Sequence, residues 1–284
     1  MRHAVILFPA LLLACDSKPA APAVLKFTAI PGDRTTELRE KFAPFEKYLS
    51  DTLGVKAEYV PTADYNASVD AFVNGQVQLA WFGGLTGVRA GLAVPGARAI
   101  AQGKVDPEYH SYFIAHKDAG VDLSDGFPTG LAGKKFTFGS ESSTSGRLMP
   151  EYFIRHSTGK SPREFFGAEM SFSGNHEKTA QLVTAGTFDA GAIDYKTYDR
   201  LVAEKKIDPA VCRIVWKTPP YPDYHWMAHP SLGDATVAKL QAALIAIKDD
   251  NLLEAINRKE GLIPAKNEDW NALRDLAREL GLVR

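Results

Sequence analysis

Cysteine is almost absent from this chain of 284 residues: there are 2, Cys15 and Cys212. A disulfide framework is therefore excluded, and stability must come from an ordinary apolar core. The His residues are scattered and nothing has metal-ligand spacing, so neither a metal nor another cofactor is expected. A basic surplus is missing as well. The formal net charge is −1, which argues against nucleic acid as a partner, since nucleic acids select basic surfaces. Beyond the first fifteen residues no segment is long and apolar enough to cross a bilayer, which takes about 20 apolar residues. A Gly-x-Ser-x-Gly elbow of the kind that presents a hydrolytic serine is also lacking.

The chain opens with a short basic stretch, Met1-Arg2-His3, then the apolar run Ala4 to Leu13, ending in Leu12-Leu13-Ala14-Cys15. The run is too short to span a membrane and resembles a secretory signal. Its ending resembles a bacterial lipobox, in which the cysteine carries the lipid. Residues 1–15 are thus expected to be a lipoprotein signal peptide with Cys15 as the lipidation site. Residues 16–23, rich in Pro and Ala, are expected to be a flexible tether. If Cys15 carries lipid, Cys212 has no partner within the chain.

From Leu25 onward strands and helices alternate, the pattern of an α/β fold. Strands are expected at 25–31, 55–60, 77–82 and 97–101, with helices at 35–53 (kinked or broken at Pro44) and 64–74, and another opened by Gly83-Gly84. After Tyr109 the pattern restarts: strands at 136–138, 169–172, 189–194 and 213–217, helices after Gly146, at 176–185 and near 195–204. Three helices are expected within 234–282. A weak internal repeat pairs residues 70–80 with 181–191, each a helix end, a glycine and a buried strand. Tyr65 and His176 precede those glycines, Gly75 and Gly186, at the same spacing. Both are expected at helix N-termini, facing each other across a cleft at the carboxyl edges of two sheets, where α/β proteins bind ligands. Residues 24–110 with 219–284 form one expected lobe and 111–218 the other.

The most informative segment is Ser140-Glu141-Ser142-Ser143-Thr144-Ser145-Gly146, between a strand and a helix. First-turn N–H groups lack internal partners there and the helix dipole favours negative charge. Ser142, Ser143, Thr144 and Ser145 add rotatable donors, and Gly146 allows close backbone approach. An ordinary N-cap needs one hydroxyl, so four point to a cradle for a tetrahedral anion.

The chain resembles the phosphonate/phosphite/phosphate-type solute-binding proteins of ABC importers over most of 25–229. The matching segments are Thr62-Ala63-Asp64-Tyr65, residues 78–84, Tyr109-His110-Ser111-Tyr112, the Ser142–Gly146 cradle, Ser173-Gly174-Asn175-His176-Glu177 and Pro220-Tyr221-Pro222-Asp223. Segments 81–89 and 139–150 look like a branch labelled selenate-binding. The resemblance implies a two-lobe type II periplasmic-binding fold. Each lobe would be a mixed sheet flanked by helices, with the ligand in the interlobe cleft. It implies ligand contacts from Tyr65, Tyr109, Ser143, Thr144, Ser145 and His176, with a carboxylate near Asp223; Gly83, Ser142 and Asp194 complete the candidate set. The implied partners are a tetrahedral oxyanion and the membrane subunits of an ABC importer. A monomer is expected, in the periplasm or on the outer face of the cytoplasmic membrane, held by its lipid.

Several residues admit more than one role. Tyr65 and Tyr109 could be packing aromatics, Trp81 and Phe82 are expected to form wall, Glu141 to point away and Arg147 to be solvated. A cleft carboxylate, Asp194 or Asp223, would repel a fully ionised selenate. It would accept a hydrogen bond from a protonated phosphorus oxyanion or pair with the amine of an aminophosphonate. Ser143 or Ser145 with His176 and Asp194 supplies the residue types of a hydrolytic triad, but the serines sit in a hydroxyl cluster, so an enzyme is not expected. A tethered ligand sensor would use the same fold.

Overall fold

The structure, a computed structural model, describes residues 24–32 and 35–284, without the side chains of residues 35 and 36. The expected signal peptide, Cys15 and the tether lie outside the described residues. Among the described residues eleven strands form two sheets: β1 Val24–Ala29, β2 Lys56–Tyr59, β3 Leu79–Phe82, β4 Arg98–Gly103, β5 Ser111–His116, β6 Phe136–Phe138, β7 Ser171–Phe172, β8 Ala190–Asp194, β9 Cys212–Lys217, β10 His225–Ala228 and β11 Leu262–Pro264. One sheet runs β11-β4-β10-β3-β1-β2, the other β7-β6-β8-β5-β9. Both are mixed. β1 is parallel to β2 and β3 while β10 is antiparallel to β3 and β4; β6 is parallel to β7 and β8 while β5 is antiparallel to β8 and β9.

The first helix, Thr35–Leu53, buries Leu38, Phe42, Phe45 and Leu49 at helical spacing. Phe42 and Phe45 pack on Phe27 of β1, and Phe42 stacks on Tyr59 of β2 with centroids 4.5 Å apart. The helix continues through Pro44 without the break expected there. Pro44 and Glu40 are both exposed, so the carbonyl that loses its partner can turn to water.

Three strands fall outside the expected ranges: β5, where the pattern restarts after Tyr109, and β10 and β11. β10 and β11 are short, and both join the first sheet after the second is complete, so the chain returns to the sheet in which it began. The return passes beside the outward crossing: Tyr109 N donates to Tyr221 O at 2.9 Å and Tyr221 N to Tyr109 O at 3.0 Å. The short helix Pro162–Phe166 was not anticipated either. Helix Asn271–Glu279 packs against helix Gly84–Ala93. Among the described residues no helix is long and apolar enough to cross a membrane.

Candidate functional site

Two helices of the internal repeat bring Tyr65 and His176 to the cleft. Helix Tyr65–Val73 is capped by Asp64, whose carboxylate accepts from Ala67 N at 2.8 Å. Helix His176–Thr184 is capped by Asn175, which accepts from Lys178 N at 2.8 Å. The likeness extends to side chains: Thr62 and Ser68 hydroxyls pair at 2.6 Å, as do Ser173 and Thr179. Gly75 and Gly186 adopt φ of +69° and +67° after the two helices, a conformation glycine enters freely. Tyr65 and His176, both buried, line one cavity of about 80 Å³ together with Trp81, Tyr109, Asp194 and Tyr224.

The hydroxyl segment does not begin an α-helix directly. Thr144–Leu148 forms a π turn, with Leu148 N donating to Ser143 O at 3.0 Å, and the α-helix starts at Met149. Such turns recur at functional sites because they open the backbone locally. Gly146 is required by contact: a Cβ there would lie 3.0 Å from Gly139 Cα and 3.1 Å from His176 Cε1.

The four hydroxyls have different tasks. Ser142 Oγ donates to Asn66 Oδ1 at 2.6 Å and accepts from Arg89 Nη1, so it ties the cradle to the helix bearing Tyr65. Ser143 Oγ caps its own turn, accepting from Gly146 N at 2.9 Å. Thr144 Oγ1 accepts from Leu85 N at 2.9 Å, a bond that joins the two sheets' flanking elements. Ser145 Oγ is buried without a hydrogen-bond partner, although Ser111 Oγ holds its carbonyl at 2.7 Å. Arg147 differs from expectation. It is buried rather than solvated, pairs with Glu151 at 2.9 Å and packs over Phe138 and Phe172. Those two ring faces and Glu151 hold its guanidinium, so it is not a counter-charge in the cleft. Glu141 is exposed.

Asp194 caps helix Tyr195–Ala203, accepting from Thr197 N at 2.8 Å and from Tyr109 OH at 2.7 Å through Oδ1. Burial pushes its pKa up, but His176, Thr197 and Tyr109 outweigh burial and hold it below the ordinary carboxylate value. His176 Nδ1 accepts from Asp194 N at 3.2 Å, which assigns the ring proton to Nε2. Nε2 lies 3.4 Å from both Ser143 Oγ and Asp194 Oδ2. Burial lowers the pKa of His176 despite Asp194, leaving a neutral donor. A hydrolytic triad needs serine and carboxylate on opposite ring nitrogens. Here both side chains meet the same one.

Asp223 lies on the return crossing, 1 % exposed. Its backbone is fixed by Trp270 Nε1 donating to its carbonyl at 2.7 Å and by its own N donating to Asp106 O at 3.0 Å. Oδ1 accepts from Gly84 N at 2.8 Å. Gly83 lets this happen, since a Cβ there would sit 3.2 Å from Asp223 Oδ1. Burial raises the carboxyl pKa to about 7, with Gly84 N–H and Thr144 pulling it down and Asp106 and Asp194 pushing it up. Neither Asp223 Oδ2 nor Asp194 Oδ2 makes a hydrogen bond of good geometry, although His176 Nε2 lies 3.4 Å from Asp194 Oδ2. The site therefore combines neutral donors with acceptors that require a proton from their partner.

Two cleft residues gave no signal in the sequence. Asp106 and Arg258, separated by most of the chain, form a buried ion pair at 2.7 Å, and Arg258 lines the same cavity as Tyr65 and His176. Trp81, expected as wall, is that, but its ring also faces this guanidinium.

Ser142 to Ser145, Gly83 and Asp223 are not among the residues lining the cavity that Tyr65 and His176 share. Two mixed α/β sheets, linked by paired crossings and with helix starts facing one cavity, define a two-lobe type II periplasmic binding protein. The chain belongs to the phosphonate-binding family of ABC-transporter periplasmic substrate-binding proteins, whose model matches residues 27–270. It is 34% identical over 287 residues to a probable ABC transporter phosphite binding protein, PhnD1, of Prochlorococcus marinus strain MIT 9301, covering 96% of each chain. It is 29% identical over 276 residues to the phosphate-import protein PhnD of Mycolicibacterium smegmatis, covering 89% of this chain and 84% of that one. The solved structure of the Prochlorococcus PhnD1 in complex with methylphosphonate matches with a TM-score of 0.85, covering 92% of this chain and 99% of that one. A binding component of a phosphonate transporter from Pseudomonas aeruginosa, 20% identical with a TM-score of 0.77, shares the fold.

Proposed function

We propose that this protein captures a small phosphorus oxyanion, of the phosphite or methylphosphonate type, and delivers it to an ABC importer. The carrying observation is the pair of buried carboxylate oxygens, Asp223 Oδ2 and Asp194 Oδ2, neither of which makes a hydrogen bond of good geometry. An anion that approaches them must bring a proton or meet a protonated carboxyl. Phosphate-type groups have a second pKa of about 6 and so carry a shareable proton near neutrality; selenate does not. Ser145 Oγ, His176 Nε2 and Tyr65 supply neutral donors. The names of the phosphite- and phosphate-related relatives point the same way. Division of labour follows: residues 24–110 with 219–284 act as one lobe and 111–218 as the other, and the ligand stabilises their closed arrangement.

Selenate is the second reading, because a carboxyl with a pKa of about 7 is often protonated at neutral pH and can then donate to a fully ionised anion. Titration calorimetry with phosphate, phosphite, methylphosphonate and selenate on the protein lacking residues 1–23 separates them. Binding of phosphite or methylphosphonate ahead of selenate is expected; selenate binding alone would reverse the choice, and no response would discard the cradle. The protein acts as a non-enzymatic monomer anchored through Cys15. Mass spectrometry of the membrane fraction should find the lipid on that residue, and unmodified Cys15 would remove the anchor from this reading.

A further inference from the structure

The cleft wall holds a buried cation that the oxyanion reading does not use. Arg258 follows Asn257, whose φ of +54° turns the chain inward. Its Nε donates to the Asp106 oxygens at 3.0 and 2.8 Å and Nη2 donates to Oδ1 at 2.7 Å. Nη1 donates to the carbonyls of Ile256 at 3.2 Å and Asn257 at 2.9 Å. The guanidinium carbon lies 5.4, 5.0 and 4.7 Å from the ring centroids of Trp81, Tyr109 and Tyr224. The pair fits only because position 103 is glycine: a Cβ there would lie 2.5 Å from both Arg258 Cδ and Asp106 Oδ2.

Three aromatic faces around a buried carboxylate are what an organic cation seeks. Here the chain supplies its own. Trp81, Tyr109, Tyr224 and Arg258 share their cavity with Tyr65, His176 and Asp194, so the cage lies where a substituent on a bound anion would extend. Resting on the phosphorus-oxyanion reading, we propose that Arg258 is a specificity-determining residue. It fills the cage, neutralises Asp106 and thereby closes the pocket to phosphonates that carry a cationic aminoalkyl arm. An incoming ammonium would meet a like charge and find Asp106 already paired. The open oxygens of Asp194 and Asp223, Oδ2 in each, are taken in this reading by the protonated oxygens of the anion itself, so neither is left for the ammonium.

Titration calorimetry of the wild type, Arg258→Ala and the double variant Asp106→Asn/Arg258→Ala tests this with methylphosphonate, 2-aminoethylphosphonate and n-propylphosphonate. The wild type should prefer methylphosphonate to 2-aminoethylphosphonate by about 100-fold or more, and Arg258→Ala should lower that ratio at least about tenfold as the ligand ammonium takes the guanidinium's place. The double variant leaves no lone buried charge and guards against failure of the single variant to fold. In it n-propylphosphonate should gain about tenfold on methylphosphonate, through apolar contact with the emptied cage. A wild type without preference, or ratios unmoved in both variants, would overturn the assignment. A wild type that binds none of the three anions would overturn the phosphorus reading itself, and the role of Arg258 with it.

Discussion

Replacing Asp223 by asparagine changes a buried carboxyl that burial brings close to neutrality and that the proposed function places beside the anion. In the ligand-free protein its pKa stands at about 7 against 3.8 for an ordinary aspartate. The folded state therefore keeps a proton that the unfolded chain releases above about pH 4. Stability contributed at this site is lost as pH rises from there to about 7, by about 4 kcal/mol in all. Binding has a related dependence. A ligand oxygen beside Asp223 Oδ2 needs one proton between the two, from whichever holds it. Above about pH 7 neither the carboxyl nor a phosphate-type anion holds one, so binding must take a proton up and affinity falls about tenfold per pH unit. Between pH 7 and 9 the wild type should lose about 100-fold, or roughly 2.7 kcal/mol. The side-chain amide introduced by Asp223→Asn donates at any pH, so the variant's affinity for methylphosphonate should stay level over this range. Calorimetry at pH 7, 8 and 9, each in two buffers of different ionisation enthalpy, reads the proton uptake directly. A wild-type affinity that is level from pH 7 to 9, or a variant that keeps the wild-type slope, would refute the shared-proton account.

Thr144→Ala removes the acceptor of Leu85 N and should weaken ligand binding by about 1–3 kcal/mol, the cost of a buried donor left unmade; unchanged affinity by calorimetry would remove Thr144 from the site. Gly146→Ala forces a methyl to 3.0 Å from Gly139 Cα and should lower stability by about 1–3 kcal/mol, read by urea unfolding, with binding weakened as His176 is displaced. Tyr109→Phe strips Asp194 Oδ1 of its hydroxyl donor. It should raise the Asp194 pKa and lower stability by about 1–3 kcal/mol near neutral pH, measured by denaturant titration at pH 7.

The fold was legible wherever burial imposes a period. The helix at Thr35–Leu53 was readable because Leu38, Phe42, Phe45 and Leu49 recur on one face, and β6 because Phe136 and Phe138 flank a threonine in a short, wholly buried strand. Pro44 misled because a proline on the solvent side of a helix removes one bond that water can replace. β10 and β11 were missed for another reason. His225-Trp226-Met227-Ala228 is buried on both faces and only four residues long, so it has neither alternation nor length. Its strand character comes from the partners on either side, β3 and β4, and those are distant in sequence.

The site divides along the same line. The turn at Ser143 to Gly146 and the helix start at His176 were readable because both are closed by local caps, whereas the bonds of Ser142 to Asn66 and of Thr144 to Leu85 reach across the chain and gave no local signal. Arg147 was misjudged because its exposure depends on what β6 and β7 lay over it. Asp106 and Arg258 were invisible altogether, since an ion pair closed across 152 residues has no spacing to read. The distinction has a chemical meaning. In the proposed function the locally encoded part, the hydroxyl turn and the helix start at His176, would recognise the tetrahedral shape. The non-local part, Asp223 on the return crossing, Asp194 against Tyr109, and Arg258 within its three rings, would in that function set how many protons and which substituent the anion may bring. On that proposal shape would be written in one segment, while the choice among anions of that shape would be made only when both sheets are assembled.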